Sequence, residues 1–148
     1  MAQSLLLIGF AAISAGCAST ETLTSSFTYT GLKTRIETPH YEQSLAFYTE
    51  ILGLVVLGSW NEPGDRGTIL GLPGLATGEA FLELAYSAVE QPLAGVSLQF
   101  KVDDLQPLLE RVEGRWDYRG PESRPWGSVY LYLQDPSGLS VIIYQGAL

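Results

Sequence analysis

The chain has one cysteine and one histidine in 148 residues, and eight Lys+Arg against sixteen Asp+Glu. A lone cysteine excludes an internal disulfide, and one Cys with one His cannot furnish a Cys/His metal centre. The formal charge is −8 and the basic residues are scattered, which excludes a nucleic-acid partner of the usual kind, since phosphate binding draws on clustered Lys and Arg. The same scarcity disfavours docking on an anionic lipid surface. The single histidine, His40, sits beside Pro39 at a helix entrance and reads as a surface or capping residue rather than a ligand. The serines therefore have no activating base for a hydrolase triad. Residues 71–78 hold three glycines but no Gly-Lys-Ser/Thr, so they form no phosphate loop.

What is present is enough for one ordinary domain: 46% of the residues are apolar, and the length suits a single core. The organising stretch is Thr38 to Leu54, TPHYEQSLAFYTEILGL. Tyr41, Leu45, Tyr48 and Leu52 recur at intervals of four, three and four, which predicts one amphipathic helix. Thr38 is the expected N-cap, with Pro39 as the first helical residue, and Gly53 ends the helix.

The first twenty residues carry no charge. The apolar run Leu5–Ile13 is too short to span a bilayer but suits the core of an export signal. It leads to Ser14-Ala15-Gly16-Cys17, which resembles a bacterial lipobox, although Ser14 stands where an aliphatic residue is usual. The resemblance implies a lipidated Cys17, membrane attachment through it, and a cell-envelope or periplasmic location. The alternative is an uncleaved extension on a cytoplasmic protein. Residues 18–30 read as a Ser/Thr-rich tether, and the domain as 31–146.

Within that domain the same order of elements occurs twice. Leu32–Thr38 is a strand with Lys33, Arg35 and Glu37 on one face; the long helix follows; then strands at Leu54–Trp60, Gly67–Leu72 and Ala80–Tyr86. After a linker at Ser87–Ala94, Val96–Val102 is a strand with Ser97, Gln99 and Lys101 on one face. Asp104 caps a helix whose Leu105, Leu108, Leu109 and Val112 share a side. Strands follow at Arg115–Arg119, Gly127–Gln134 and Leu139–Tyr144, with GPESRP as a loop and Asp135–Gly138 as a tight turn. The expectation is an α+β fold of two paired βαβββ modules, about 31–88 and 95–146. Neither half is large enough to bury both sides of its own sheet, so the helices should cover outer faces while the inner faces curve toward each other.

SLAFY (Ser44–Tyr48), LGL (Leu52–Leu54), KVDDL (Lys101–Leu105), PWG (Pro125–Gly127) and DPSG (Asp135–Gly138) stand in the order and spacing of a known family. The chain resembles the vicinal oxygen chelate superfamily, which unites glyoxalases, bleomycin resistance proteins and dioxygenases. The resemblance implies paired βαβββ modules curled into a half-open cup, and in metal-dependent members a divalent ion held by four strand residues. At those four positions this chain has Lys33, Glu83, Ser97 and Ile142. Only Glu83 is a competent ligand, and Lys33 would set a positive charge against the ion. The resemblance with these departures implies neither metal nor cofactor.

If those positions face the cup, it is lined by Lys33, Arg35, Glu37, Phe81, Glu83, Ser97, Gln99 and Lys101, with Tyr130, Tyr132, Ser140 and Tyr144 beside them. Such a set suits a polar or anionic small molecule with an aromatic part: Lys33 and Arg35 for charge, Tyr130 and Tyr132 for stacking, Ser97 and Gln99 for orientation. Trp126 is the expected aromatic contact from the GPESRP side; Trp60 and Trp116 read as packing or rim residues. Glu83 has a second, compatible reading, a plain ion pair with Lys33 or Arg35. Three functions follow: a metal-free binding module of the bleomycin-resistance type, a lyase or isomerase with Glu83 as catalytic base, or an envelope domain serving a protein partner. A homodimer is expected by resemblance.

Overall fold

The computed structural model describes residues 30–75 and 79–147. The expected export signal, Cys17 and all but the last residue of the tether lie outside these. In the first module β1 (Leu32–Thr38) leads into helix α1 (Tyr41–Ala46), a π-helical turn (Phe47–Ile51), and strands β2 (Val55–Glu62), β3 (Asp65–Gly71) and β4 (Ala80–Tyr86). The second module repeats the plan with β5 (Ser97–Lys101), α2 (Gln106–Val112), β6 (Tyr118–Ser123), β7 (Val129–Gln134) and β8 (Ser140–Gln145). The sheets run β1-β4-β3-β2 and β5-β8-β7-β6. First and last strands of each module pair parallel, β1 with β4 and β5 with β8, and the rest antiparallel. This is the expected pair of βαβββ units.

The organising stretch departs from one regular helix. Thr38 is the last residue of β1, not an N-cap, and Pro39 and His40 form a turn before α1 begins at Tyr41. Thr38 is fully buried, and its hydroxyl accepts from the His40 N–H at 2.9 Å. After Ala46 the hydrogen bonds lengthen: the Leu52 N–H reaches the Phe47 carbonyl at 3.1 Å and the Leu54 N–H reaches Tyr48 at 2.9 Å. The wider turn shifts the buried face. Tyr41, Ser44, Phe47, Tyr48 and Ile51 are buried, while Leu45 and Leu52 are only half-buried. The 4-3-4 spacing predicted a face that the π turn rotates by about a residue. Gly53 then turns the chain with φ +76°, a conformation costly for any residue with a Cβ.

One apolar core serves both modules. Ile36, Leu70, Leu82 and Leu84 from the first sheet join Leu131, Leu133, Val141 and Ile143 from the second, with Phe47, Tyr48, Leu105 and Val112 from the helices. Specific contacts tie the π turn to the second module: the Phe47 ring lies 4.8 Å from Trp116, and the Tyr48 hydroxyl donates to Asp135 at 2.9 Å. The Ser137 hydroxyl donates to Thr38 at 2.8 Å and lies 3.2 Å from the Ser44 hydroxyl. The helix-bearing faces of the two sheets are thus joined.

Strand limits differ where turns are tighter than composition implies. β2 runs on to Glu62, leaving only Pro63 and Gly64 between it and β3. GPESRP is not wholly a loop: β6 runs from Tyr118 through Ser123 instead of ending at Arg119. It is an edge strand, and its register shifts between Arg119 and Glu122, around a cis Gly120–Pro121 peptide. A proline, which has no N–H for a ladder, is tolerated at such an edge irregularity. Arg115–Asp117 stay outside the sheet. Asp104 does not cap α2 directly; its carboxylate accepts from the Gln106 N–H at 2.9 Å while Leu105 occupies the N-cap position.

Candidate functional site

The residues picked from alternation do share the helix-free faces of the sheets. In the first sheet the registers Arg35↔Glu83 and Glu83↔Ile69 form one row, and Lys33↔Phe81 lies beside it. In the second, Gln99↔Ile142, Ile142↔Tyr132 and Tyr132↔Arg119 form a row, and Lys101↔Tyr144, Tyr144↔Tyr130 and Tyr130↔Glu122 the next.

Glu83 is 6% exposed and sits between two cations. The Lys33 ammonium donates to one carboxylate oxygen and the Arg35 guanidinium to the other. Arg35 also donates to Glu37 at 2.8 Å. The Lys33 contact above all, with Arg35 adding to it against the opposing effect of burial, holds the Glu83 carboxyl below its usual pKa. The ion-pair reading of Glu83 is therefore realised with both partners at once. The Lys33 and Arg35 side chains stay 52% and 44% exposed, so the cluster opens to solvent.

A second cluster lies on the other sheet. Tyr130 stacks on Tyr144 at 5.3 Å and on Tyr132 at 6.2 Å, and Trp126 meets Tyr130 edge-on at 6.4 Å. The Arg119 guanidinium lies 3.8 Å over the Tyr132 ring, and Arg124 reaches the Tyr132 hydroxyl. Glu122 pairs with both arginines. Arg119 ends an expected strand, whereas Glu122 and Arg124 were not foreseen, because a GPESRP read as a loop gives no face for its side chains. Pro121 in an edge strand was the signal that hid them.

The structure thus brings together Lys33, Arg35 and Glu83, and separately Trp126, Tyr130 and Tyr132. Ser97 and Gln99 lie exposed on β5, 3.4 Å apart. Among the described residues no hydrogen bond, ion pair or ring contact joins the two clusters. Trp60 and Trp116 are structural: Trp60 donates to Asp65 at 2.9 Å and lies across Gly67, and Trp116 donates to the Gln134 carbonyl at 2.9 Å. His40 faces Glu90 at 2.9 Å on the surface.

Residues 32–143 match the model of the Glyoxalase/Bleomycin resistance protein/Dioxygenase superfamily. The chain belongs to that superfamily. A search of curated proteins finds no match. Among solved structures, this superfamily member is similar to TnmS3, an antibiotic binding protein from Streptomyces sp. CB03234, with TM-score 0.69 and 19% identity over 84% of this chain and 100% of that one. A glyoxalase/bleomycin resistance protein from the same Streptomyces has TM-score 0.63 and 20% identity over 76% and 97%. The genomically encoded fosfomycin resistance protein FosX from Listeria monocytogenes has TM-score 0.65 and 13% identity over 82% and 97%. At these identities the likeness is one of fold.

Proposed function

We propose that this superfamily member is a metal-free small-molecule binding protein whose ligand is polar or anionic and partly aromatic. The observation that carries the reading is the second cluster: three tyrosine rings, an exposed Trp126 and two arginines form a face on which a flat anion can stack and pair. Lys33, Arg35, Ser97 and Gln99 supply further polar contacts where the ligand extends toward the first sheet. The antibiotic binding activity of TnmS3 is the precedent for such use of the fold.

The four family metal positions do not fit a divalent ion. Glu83 has both oxygens engaged by Lys33 and Arg35, Ile142 offers no donor, and the Ser97 hydroxyl is a weak one. Glu83 as a catalytic base has less in its favour, since a carboxyl whose pKa is lowered by two cations accepts a proton reluctantly. A homodimer belongs to the same reading. Val55, Val56 and Leu57 on edge strand β2 are each about half exposed, an apolar run suited to meeting another copy. Cell-envelope attachment through Cys17 completes the proposal on the lipobox pattern alone.

Native mass spectrometry of protein purified without added metal tests it. The expected spectrum is a metal-free dimer, with or without a co-purifying organic molecule. Stoichiometric Zn²⁺, Ni²⁺, Fe²⁺ or Mn²⁺ would overturn the metal-free reading.

A further inference from the structure

We propose that a hollow at the junction of the modules, on the helix-bearing side, is a second small-molecule site that takes a compact monocarboxylate with an apolar body. The hollow has a volume of about 230 Å³ and lies between Leu54 of the first module and Phe100, Leu108 and Ile143 of the second. It is remote from the tyrosine face by construction: Phe100 and Ile143 alternate with Gln99, Ile142 and Tyr144, so they point to the opposite side of their sheet. At ~30 Å³ per water it holds the equivalent of about eight waters, which suits a single ring or short branched chain. Its walls are mostly apolar, and a hydrocarbon body fills them with favourable burial.

The charge at its rim selects the head group. Arg111 lines the hollow from α2, and among the described residues it has no carboxylate partner. Its guanidinium is therefore available to an incoming anion, whereas Arg35, Arg66, Arg119 and Arg124 are engaged by carboxylates. Arg111 is also held in place. Its Nη1 donates to the Ile51 carbonyl at 3.4 Å, and the same nitrogen lies 2.6 Å from where a Cβ on residue 53 would stand. Gly53 therefore serves two purposes, the left-handed turn and room for the guanidinium. A planar guanidinium matches a carboxylate in two-point geometry. Asp104 also lines the hollow, its carboxylate held by the Gln106 N–H at 2.9 Å, so the single guanidinium of Arg111 offers one two-point site and matches one carboxylate.

The test uses the full chain, benzoate as probe and benzyl alcohol as its uncharged counterpart, read by amide chemical shifts. Benzoate is expected to give saturable shifts at Leu54, Phe100 and Leu108, with benzyl alcohol at least tenfold weaker. Arg111→Gln should weaken benzoate about tenfold, and Leu108→Trp, which fills the hollow, should abolish the shifts at Leu54 and Phe100. Equal binding of the two probes overturns the proposal, as does the absence of saturable shifts at the junction. Shifts confined to Tyr130 and Tyr132 also overturn it, and at the same time support the stacking face as a separate site. Should Arg111→Gln fail to fold, the comparison of the two probes on the unmodified chain still decides.

Discussion

The Tyr48 hydroxyl donates to Asp135 at 2.9 Å, and the two residues belong to different modules. Asp135 is 3% exposed; its other oxygen accepts the N–H groups of Ser137 and Leu139, both at 2.9 Å. Among the described residues Tyr48 is thus the sole donor to one buried carboxylate oxygen. Tyr48→Phe should destabilise the chain by about 1–3 kcal/mol, the usual cost of stranding a buried acceptor. Urea unfolding checks this: a lower midpoint at unchanged m-value is the expected result, and an unaltered midpoint would refute the role.

The two buried carboxylates should respond to pH with opposite signs. Burial, offset in part by the Leu139, Tyr48 and Ser137 donors, raises the Asp135 pKa, whereas Lys33 first and Arg35 next lower that of Glu83. Asp135 favours the folded state fully below the ordinary carboxylate range and loses that effect as pH rises through its folded pKa. Glu83 favours it above that range and loses the effect as pH falls through its folded pKa. Relative to wild type, Asp135→Asn should therefore gain stability as pH rises through the carboxylate range. Glu83→Gln should match wild type in strong acid and fall behind it toward neutrality. Unfolding midpoints taken across acid to neutral pH measure both differences, and curves of the same sign would contradict the assignment.

The module plan was legible because turn glycines and alternating strands repeat in the same order. Rows such as Arg35–Glu83 and Gln99–Ile142–Tyr132 followed from the family's cup-facing positions extended along each strand by alternation, since a strand has only two faces. What alternation cannot give is which face of which neighbour it meets. The π turn moved burial from Leu45 and Leu52 to Ser44, Phe47 and Ile51, a shift that depends on packing against Trp116 and Asp135 rather than on local preference. Glu122 and Arg124 were hidden because Pro121 and Pro125 flank them, and proline reads as loop wherever edge strands are unknown.

Gly67 has no room for a side chain. A Cβ there would lie 2.2 Å from the Trp60 ring and 2.9 Å from the Leu84 carbonyl oxygen. Gly67→Ala should cost about 1–3 kcal/mol through overpacking. It should also move the Trp60 ring, so Trp fluorescence of the folded variant ought to differ; an unshifted spectrum with unchanged stability would show that the strand absorbs the methyl group.

Removing one ring should separate recognition from folding on the tyrosine face. Tyr130 contacts Tyr132, Tyr144 and Trp126, and stands partly exposed. Tyr130→Ala is expected to weaken a naphthoate probe by about tenfold, within the ~1–3 kcal/mol that one stacked ring contributes to base binding. Fluorescence titration reads it, and equal affinity in variant and wild type would place the ligand elsewhere.

Self-association can be probed at β2. Val56→Lys puts a charge in the middle of the exposed run Val55–Leu57 and should shift a dimer to monomer in sedimentation velocity. A dimer of unchanged strength would move the contact off this edge.

The π turn has a bearing on how this chain tolerates changes in length. A π turn holds one more residue than the α-helix it interrupts, so deleting one residue within Phe47–Ile51 would leave a regular helix of ordinary propensity. That shorter helix would be locally sound, yet its aromatic side chains would no longer align with Trp116 and Asp135. Local regularity and attachment of the halves are therefore in competition at this point. A single inserted residue is the mechanical linkage between them.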